Sequence, residues 1–368
     1  MIAAAMTSAV AAGWTPALAD DKPFDNKLPG LHARARAKGL FFGSALSSVA
    51  LSNDNDLLAR LLAECGMLVS EDAFKWDAIR FDQTKFDFSR ADALMGFALL
   101  HQLPVRGHTL VWHEANPAWL EPALTSKTAS EKLLTDHIRA VAGRYAGRLA
   151  QWDVVNEAIL GDDKKPQALR NTLWLRALGP AYIDIAFHAT AEADPRALRV
   201  INEYGIEYGI DWQVRKRNQL LDLCADLVAR KVPIQAVGIQ AHLDAGEVNL
   251  DQTGLARFIA DVASLGLKVV ITEFDVRDQR LPASIPARDT AIAAHARAWL
   301  DAVLPNPAVL GVLSWGLSDR GTWLNSYFPR ADGLPQRPSP LDADLNRKKL
   351  WGAMAAAFDA APPRIAKS

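Results

Sequence analysis

Cysteine is nearly absent from this chain: Cys65 and Cys224 are the only two in 368 residues. They are far apart, each within a stretch of helical patterning, and they lack the spacing of metal ligands. A disulfide framework and a thiolate metal centre are thereby excluded, and two buried structural thiols are expected. A surplus of charge of one sign is also missing. Lys and Arg number 41 against 42 Asp and Glu, for a net charge of −1 and a pI near 6.7. Without a basic block or Arg-rich stripe no nucleic-acid partner is expected, because neutralising phosphates needs clustered cations. No segment after the first nineteen residues is long and apolar enough to span a bilayer. There is no Ser/Thr/Pro linker, no internal repeat, and no Gly-rich phosphate turn after the first strand-like run. A neutral or weakly acidic substrate fits what remains.

What is present begins with an uncharged, Ala-rich start closing on Ala17-Leu18-Ala19, just before Asp20-Asp21. An apolar run ending in A-x-A has the pattern of a cleaved secretory signal, although the usual positive n-region is lacking. The expectation is a signal over residues 1–19, a secreted or periplasmic protein, and one catalytic domain over residues 20–368. A chain half apolar and 23% charged has ample material for one large core.

Eight apolar, β-like runs follow one another: Phe41 to Leu46, Met67 to Glu71, Val105 to Trp112, Gln151 to Glu157, Leu198 to Tyr204, Ala236 to His242, Lys268 to Asp275 and Val309 to Leu317. Between them, stretches such as Asn55 to Cys65, Ser130 to Tyr145, Tyr182 to Ala191, Trp212 to Arg230, Thr253 to Leu265 and Asp289 to Leu304 show helical periodicity. Alternation repeated eight times predicts an α/β fold: a single (β/α)8 TIM barrel, with an open doubly wound sheet as the runner-up. In such a ring the helices carrying the two cysteines stand on roughly opposite sides, too far apart to be bridged.

Polar residues gather at one end of these runs. Glu71, His108, Trp112, Asn156, Glu157, Asn202, Tyr204, Gln240, His242, Glu273, Asp275 and Trp315 sit in or just past the C-terminal halves of seven of the eight. Barrel strands are buried, and charged groups are seldom buried without a partner. All strands of a barrel end at one rim, so residues distant in sequence converge there. The two decisive ones are Glu157, in Trp152-Asp153-Val154-Val155-Asn156-Glu157, and Glu273, in Ile271-Thr272-Glu273-Phe274-Asp275. Two carboxyls facing each other across a sugar can hydrolyse a glycosidic bond. At a spacing of ~5–5.5 Å one protonates the leaving oxygen while the other attacks the anomeric carbon. Asp275 leaves the same face as Glu273 if the strand continues, and His242 on the neighbouring strand could bridge the two.

These two segments, with Glu71-Asp72-Ala73-Phe74-Lys75-Trp76, Gly107-His108-Thr109-Leu110-Val111-Trp112-His113, Gly238-Ile239-Gln240-Ala241-His242 and Ser314-Trp315-Gly316-Leu317-Ser318-Asp319, resemble in order the motifs of glycoside hydrolase family 10. The resemblance runs from about Phe41 to Trp351. It implies a retaining endo-β-1,4-xylanase on a TIM barrel, with Glu157 as acid/base and Glu273 as nucleophile. It further implies that Asn156 holds the 2-hydroxyl of the attacked sugar and that Gln240, His242 and Asp275 support the carboxylates. Glu71, Asp72, Lys75, His108, Trp112, Asn202, Tyr204, Trp315 and Trp323 form the expected substrate-binding set. Its partners would be β-1,4-xylan and xylo-oligosaccharides, with no cofactor and no metal, and the protein is expected to be a monomer. Of the other tryptophans, Trp152, Trp174, Trp212, Trp299 and Trp351 read as core or helix packing, and Trp119 is ambiguous.

Two departures bear on substrate preference. Ala115 stands where the family usually has Gln, so one hydrogen bond near the catalytic sugars is missing or comes from Glu114. Asp72 replaces a usual Asn, which removes an amide donor. The alternatives are a β-1,4-glucanase using the same reaction and, from a different class, a sugar-binding barrel without catalysis. The latter would be expected to lose one of the carboxylates, and both are present.

Overall fold

The computed structural model describes residues 27–161 and 168–364; the expected signal over residues 1–19 lies outside them. The described residues form nine strands: β1 (Phe41–Leu46), β2 (Leu68–Ser70), β3 (Val105–Gly107), β4 (Gln151–Asn156), β5 (Leu198–Glu203), β6 (Ala236–Ile239), β7 (His242–Asp244), β8 (Lys268–Arg277) and β9 (Val309–Ser314). Each of β1 to β5 pairs in parallel with the next; β6 pairs with β8, β8 with β9, and β9 with β1, which closes an eight-staved barrel. The short β7 continues beyond β6 and pairs with the far end of β8, placing His242 opposite Asp275.

Every expected run contributes a stave, but the ends differ. The run Ala236 to His242 is two strands, because Ala241 takes a positive φ of 62° and breaks the extended backbone. The third strand stops at Gly107, and beyond it an isolated bridge pairs Val111 with Val155. The eighth run stops at Ser314, two residues before Gly316 at a φ of 98°.

Helices occupy the expected intervals, with ends set by side-chain caps. Asp54, Ser126 and Asp251 accept the backbone N–H of Leu57, Ala129 and Gly254 at the starts of Asn55–Glu64, Lys127–Arg144 and Gln252–Ser264. Such a cap contributes about 1 kcal/mol by satisfying an otherwise orphaned donor. Two further helices, Ser89–Leu100 and Lys349–Ala360, complete the ring. The main core lies between strands and helices and includes Trp152, Trp174, Trp299 and Trp351, all buried as expected. Trp212 is the exception: it is 37% exposed, at the first turn of the helix Asp211–Ala229, with its ring beside Gly205. Trp119 is half-buried; its indole N–H donates to Arg80 O at 3.1 Å and its ring lies under the Arg80 guanidinium. Cys65 and Cys224 are buried free thiols, and burial raises both pKa values, that of Cys224 to about 12.

A smaller cluster of Ala45, Met67, Val69, Val270 and Leu313 is drawn from alternate positions of the strands and fills the barrel interior, with Trp315 at its edge. Charged and polar groups are stacked with it. Arg106 bonds Gln151 at 2.5 Å and is forked onto Asp153, whose Oδ2 also meets His108 Nδ1 at 3.0 Å. A buried charge is tolerable only when it is paired in this way. At the other side of the molecule the buried Glu64 carboxylate accepts from Leu31 N, Arg347 Nε and Trp351 Nε1, tying the first helix to the last.

Candidate active site

Glu157 follows β4 directly and Glu273 lies within β8, both at the rim where β2, β3, β5 and β9 also end. An ideal strand would send Asn156 and Glu157 to opposite faces. Here Glu157 has a φ of 59°, in the left-handed region, which costs a non-glycine residue roughly 1–2 kcal/mol. That turn lets neighbouring residues both face the site. Ala241 does the same for Gln240 and His242 on either side of it.

The two glutamates are linked by amides. Asn202 Nδ2 donates to Glu273 Oε1 at 2.7 Å and to Asn156 Oδ1 at 2.9 Å. Asn156 Nδ2 in turn donates to Glu157 Oε1 at 3.3 Å, and Gln240 Nε2 reaches the same oxygen at 3.0 Å. Thr272 Oγ1 donates to Asn202 Oδ1 at 2.7 Å, which fixes the orientation of that amide.

Behind Glu273 stands an imidazole between two carboxylates. His242 Nε2 lies 3.4 Å from Glu273 Oε2, and Nδ1 lies 2.9 Å from Asp275 Oδ1. Trp323 Nε1 donates to the other Asp275 oxygen at 2.8 Å. Burial works against a charged His242, but Asp275 and Glu273 outweigh it and raise its pKa to about 10. Burial would likewise raise Glu273. The hydrogen bond from His242, the nearby His108 and the Asn202 amide reverse that and hold it at about 2. Glu273 is therefore an anion at any neutral pH, next to a fixed cation.

Around the pair lie the expected sugar-binding residues. Trp315 meets His108 edge-on at 5.3 Å, and Lys75 Nζ stands 5.1 Å from the centre of the Trp112 ring. A cleft of about 860 Å³ opens beside them, walled by Glu71, Trp315 and Trp323 together with residues of the loops after β1 and β9. Neither glutamate of the pair is among its walls, so it flanks the reacting centre. Burial raises the Glu71 pKa, with Lys75 opposing.

Three expected binding residues have other contacts. Asn202 is fully buried, with its amide engaged as described. Asp72 accepts Ser48 N at 2.9 Å and faces Arg90 at 3.4 Å. Tyr204 accepts from Arg170 at 2.9 Å, and its ring lies 3.8 Å from Lys216 Nζ. Ala115 has a positive φ of 52° and spends its carbonyl on Asp77, while Glu114 is exposed beside His113.

Residues that the strand-end pattern did not single out also belong here. His113 Nδ1 lies 3.7 Å from Glu157 Oε2; burial lowers its pKa, Glu157 opposes this, and Arg170 and Lys216 add to it. Its place directly after Trp112 was the available signal. Arg106 and Asp153, which seat His108, alternate inward along β3 and β4 and could have been read from that alternation. Arg170 lies in no strand and carried no signal.

Comparison with known proteins agrees with this geometry. The model of glycosyl hydrolase family 10 matches residues 30–357. The endo-1,4-beta-xylanase B of Thermotoga neapolitana is 34% identical over 72% of this chain and 73% of its own length. The endo-1,4-beta-xylanase B of Paenibacillus barcinonensis is 30% identical over 88% of this chain and 97% of its own. The crystal structure of xylanase 10B from Thermotoga petrophila RKU-1 in complex with xylobiose superposes with a TM-score of 0.81 at 30% identity, covering 90% of this chain and 97% of that one.

Proposed function

From the premise that the chain belongs to glycosyl hydrolase family 10, a family of endo-xylanases that hydrolyse β-1,4-xylan with retention, we propose that Glu273 is its nucleophile and Glu157 its acid/base. The supporting observation is the unequal environment of two linked carboxyls. Glu273 is held ionised by His242, whereas Glu157 receives only neutral amides on Oε1, from Gln240 and Asn156. As acid/base, Glu157 presents to the leaving group its Oε2, the oxygen that neither amide bonds.

In the first step a Glu273 oxygen attacks the anomeric carbon of a xylosyl unit. The bond to the leaving oxygen breaks, and that oxygen takes the proton from Glu157. In the second step Glu157, now a carboxylate, removes a proton from water. The water oxygen then bonds to the anomeric carbon and the Glu273 ester bond breaks. Two inversions return the β-configuration. Asn156 contacts the 2-hydroxyl of the attacked sugar, a contact that strengthens as the ring flattens. Asn202, being buried, positions Glu273 and Asn156 instead of touching sugar. Trp112, Trp315 and Trp323 offer ring faces to the sugars, with Lys75, His108 and Glu71 supplying polar contacts. The partners are β-1,4-xylan and xylo-oligosaccharides.

The test is the stereochemistry of azide rescue. Glu273→Ala should lose nearly all turnover, and azide should restore it with α-glycosyl azide as the product. Glu157→Ala should fail on xylan yet accumulate a glycosyl-enzyme from activated aryl glycosides, and there azide should give the β-product. An initial α-anomer from the wild type, seen by NMR, would refute the assignment. Greater release of reducing sugar from carboxymethyl cellulose than from xylan would establish the glucanase reading instead.

Export is proposed on the Ala17-Leu18-Ala19 pattern, with a monomeric catalytic domain over residues 20–368. Among the described residues no helix is long and apolar enough to cross a membrane. Mature protein from the native host should begin near Asp20, and an intact Met1 would refute this.

A further inference from the structure

The left-handed turn at Glu157 is held from several sides. Its N–H donates to Asn202 O at 2.8 Å. Its carbonyl accepts Arg170 Nε at 3.0 Å, and the next carbonyl, of Ala158, accepts Arg170 N at 2.7 Å. Ile159 N then donates to Glu203 Oε1 at 2.6 Å. Glu203 is fully buried and ion-paired with the equally buried Lys216 at 2.7 Å. Lys216 lies under the ring of Tyr204, whose hydroxyl accepts the second prong of Arg170 at 2.9 Å. A closed circuit of Arg170, Tyr204, Lys216 and Glu203 thus grips the three residues that begin with Glu157. Within it Arg170 is the only side chain that touches Glu157's own backbone, and it does so with a planar fork anchored at its other end.

We propose that Arg170 is a positioning residue: its guanidinium locks the Glu157 peptide in the left-handed conformation and thereby aims the carboxyl at the glycosidic oxygen. The inference rests on Glu157 being the acid/base. Among the described residues no other side chain holds the Glu157 carbonyl, so without the fork the backbone can relax toward the extended form, which carries the side chain away from the leaving group. The nucleophile, on β8, is unaffected. Arg170 therefore acts on the proton transfers of Glu157 and not on the attack by Glu273. Lysine cannot replace it, because a single ammonium cannot reach both acceptors with fixed geometry.

The test separates these steps by leaving group. Arg170→Met and Arg170→Lys are compared with wild type on xylan and on a series of aryl β-xylobiosides, with circular dichroism to verify the fold. A misaimed general acid should lower kcat on xylan by about 10- to 100-fold, with KM within about 3-fold. For the dinitrophenyl glycoside, whose phenol leaves without a proton, kcat/KM, which reports the first step alone, should stay within about 3-fold of wild type while glycosyl-enzyme accumulates, so the dependence of kcat/KM on leaving-group pKa steepens. Arg170→Lys should show the same pattern with a smaller loss, and it carries the test alone if Arg170→Met does not fold. Equal losses of kcat/KM on all substrates would mean a merely structural role and would overturn the proposal, as would no loss on xylan. Glu157→Ala in parallel distinguishes the failures. If it shows the leaving-group pattern and the Arg170 variants do not, this inference alone is wrong; if Glu157→Ala leaves xylan hydrolysis intact, the acid assignment falls and this inference with it.

Discussion

Asp275→Asn isolates what the charge behind Glu273 does. His242 stands between Asp275 and Glu273, and together they lift its pKa from 6.5 to about 10. At about 1.4 kcal/mol per pKa unit, that rise amounts to ~5 kcal/mol in favour of the imidazolium, shared between two carboxylates. Asp275 is the nearer of the two, at 2.9 Å against 3.4 Å, and supplies the larger share. A neutral amide in its place should bring His242 down by about 2 units, to around pH 8. Ring 15N shifts followed from about pH 5 to about pH 10 should then show a titration in the variant where the wild type shows none until near the upper end. Over the same range kcat/KM for xylotetraose should fall in the variant as Glu273 loses its cation. For stability the two shifts act in opposite directions. The raised pKa of His242 adds stability that is fully present below 6.5 and lost as pH rises through about 10. The depressed pKa of Glu273 adds stability that is present above 4.5 and lost as pH falls through about 2. Both contributions are complete between those two ordinary values, and Asp275→Asn should bring the alkaline loss down with the His242 titration. A wild-type His242 that deprotonates near 6.5, or a variant that titrates like the wild type, would refute this reasoning.

Alanine at Trp315 should remove stacking area and cleft shape together, raising KM and lowering kcat on xylo-oligosaccharides; a loss worth less than about 1 kcal/mol in kcat/KM would contradict a stacking role. Asp72→Asn keeps an acceptor for Ser48 N and gives up only the half-exposed pair with Arg90, so thermal stability should change by less than about 1 kcal/mol. The restored amide should improve turnover of longer xylo-oligomers, and unchanged kinetics would mean that residue 72 does not touch sugar. Glu64→Ala should remove the buried carboxylate that Leu31 N, Arg347 and Trp351 share and cost roughly 3–5 kcal/mol in chemical denaturation, with kcat unchanged below the melting transition. A loss of kcat without a loss of stability would count against a purely structural Glu64.

How much of this was legible in the sequence follows from what a local pattern can encode. The eight staves were visible because each is a short β-branched or apolar run, and the intervening helices because their apolar residues recur on one face. The rim residues Glu157, Gln240, His242, Glu273 and Asp275 were visible because charged and amide side chains at the ends of buried strands need a reason. The period-2 rule failed at Glu157 and Ala241, where a single positive φ turns the chain and brings sequence neighbours to the same face. What holds the Glu157 turn comes from elsewhere in the fold: the Asn202 carbonyl on the next strand, and Arg170 thirteen residues on. Trp212 looked like packing because helical periodicity does not say which helix end is covered, and it is half-exposed beside Gly205. Asn202 looked like a sugar contact because its strand-end position is that of one, yet Glu273, Asn156 and Thr272 surround it. The residue types and their spacing determined that two carboxyls meet at one rim of a closed barrel. How Glu273 is held ionised, and how the Glu157 peptide is turned, was decided by hydrogen bonds and charges that only the closed barrel brings within reach.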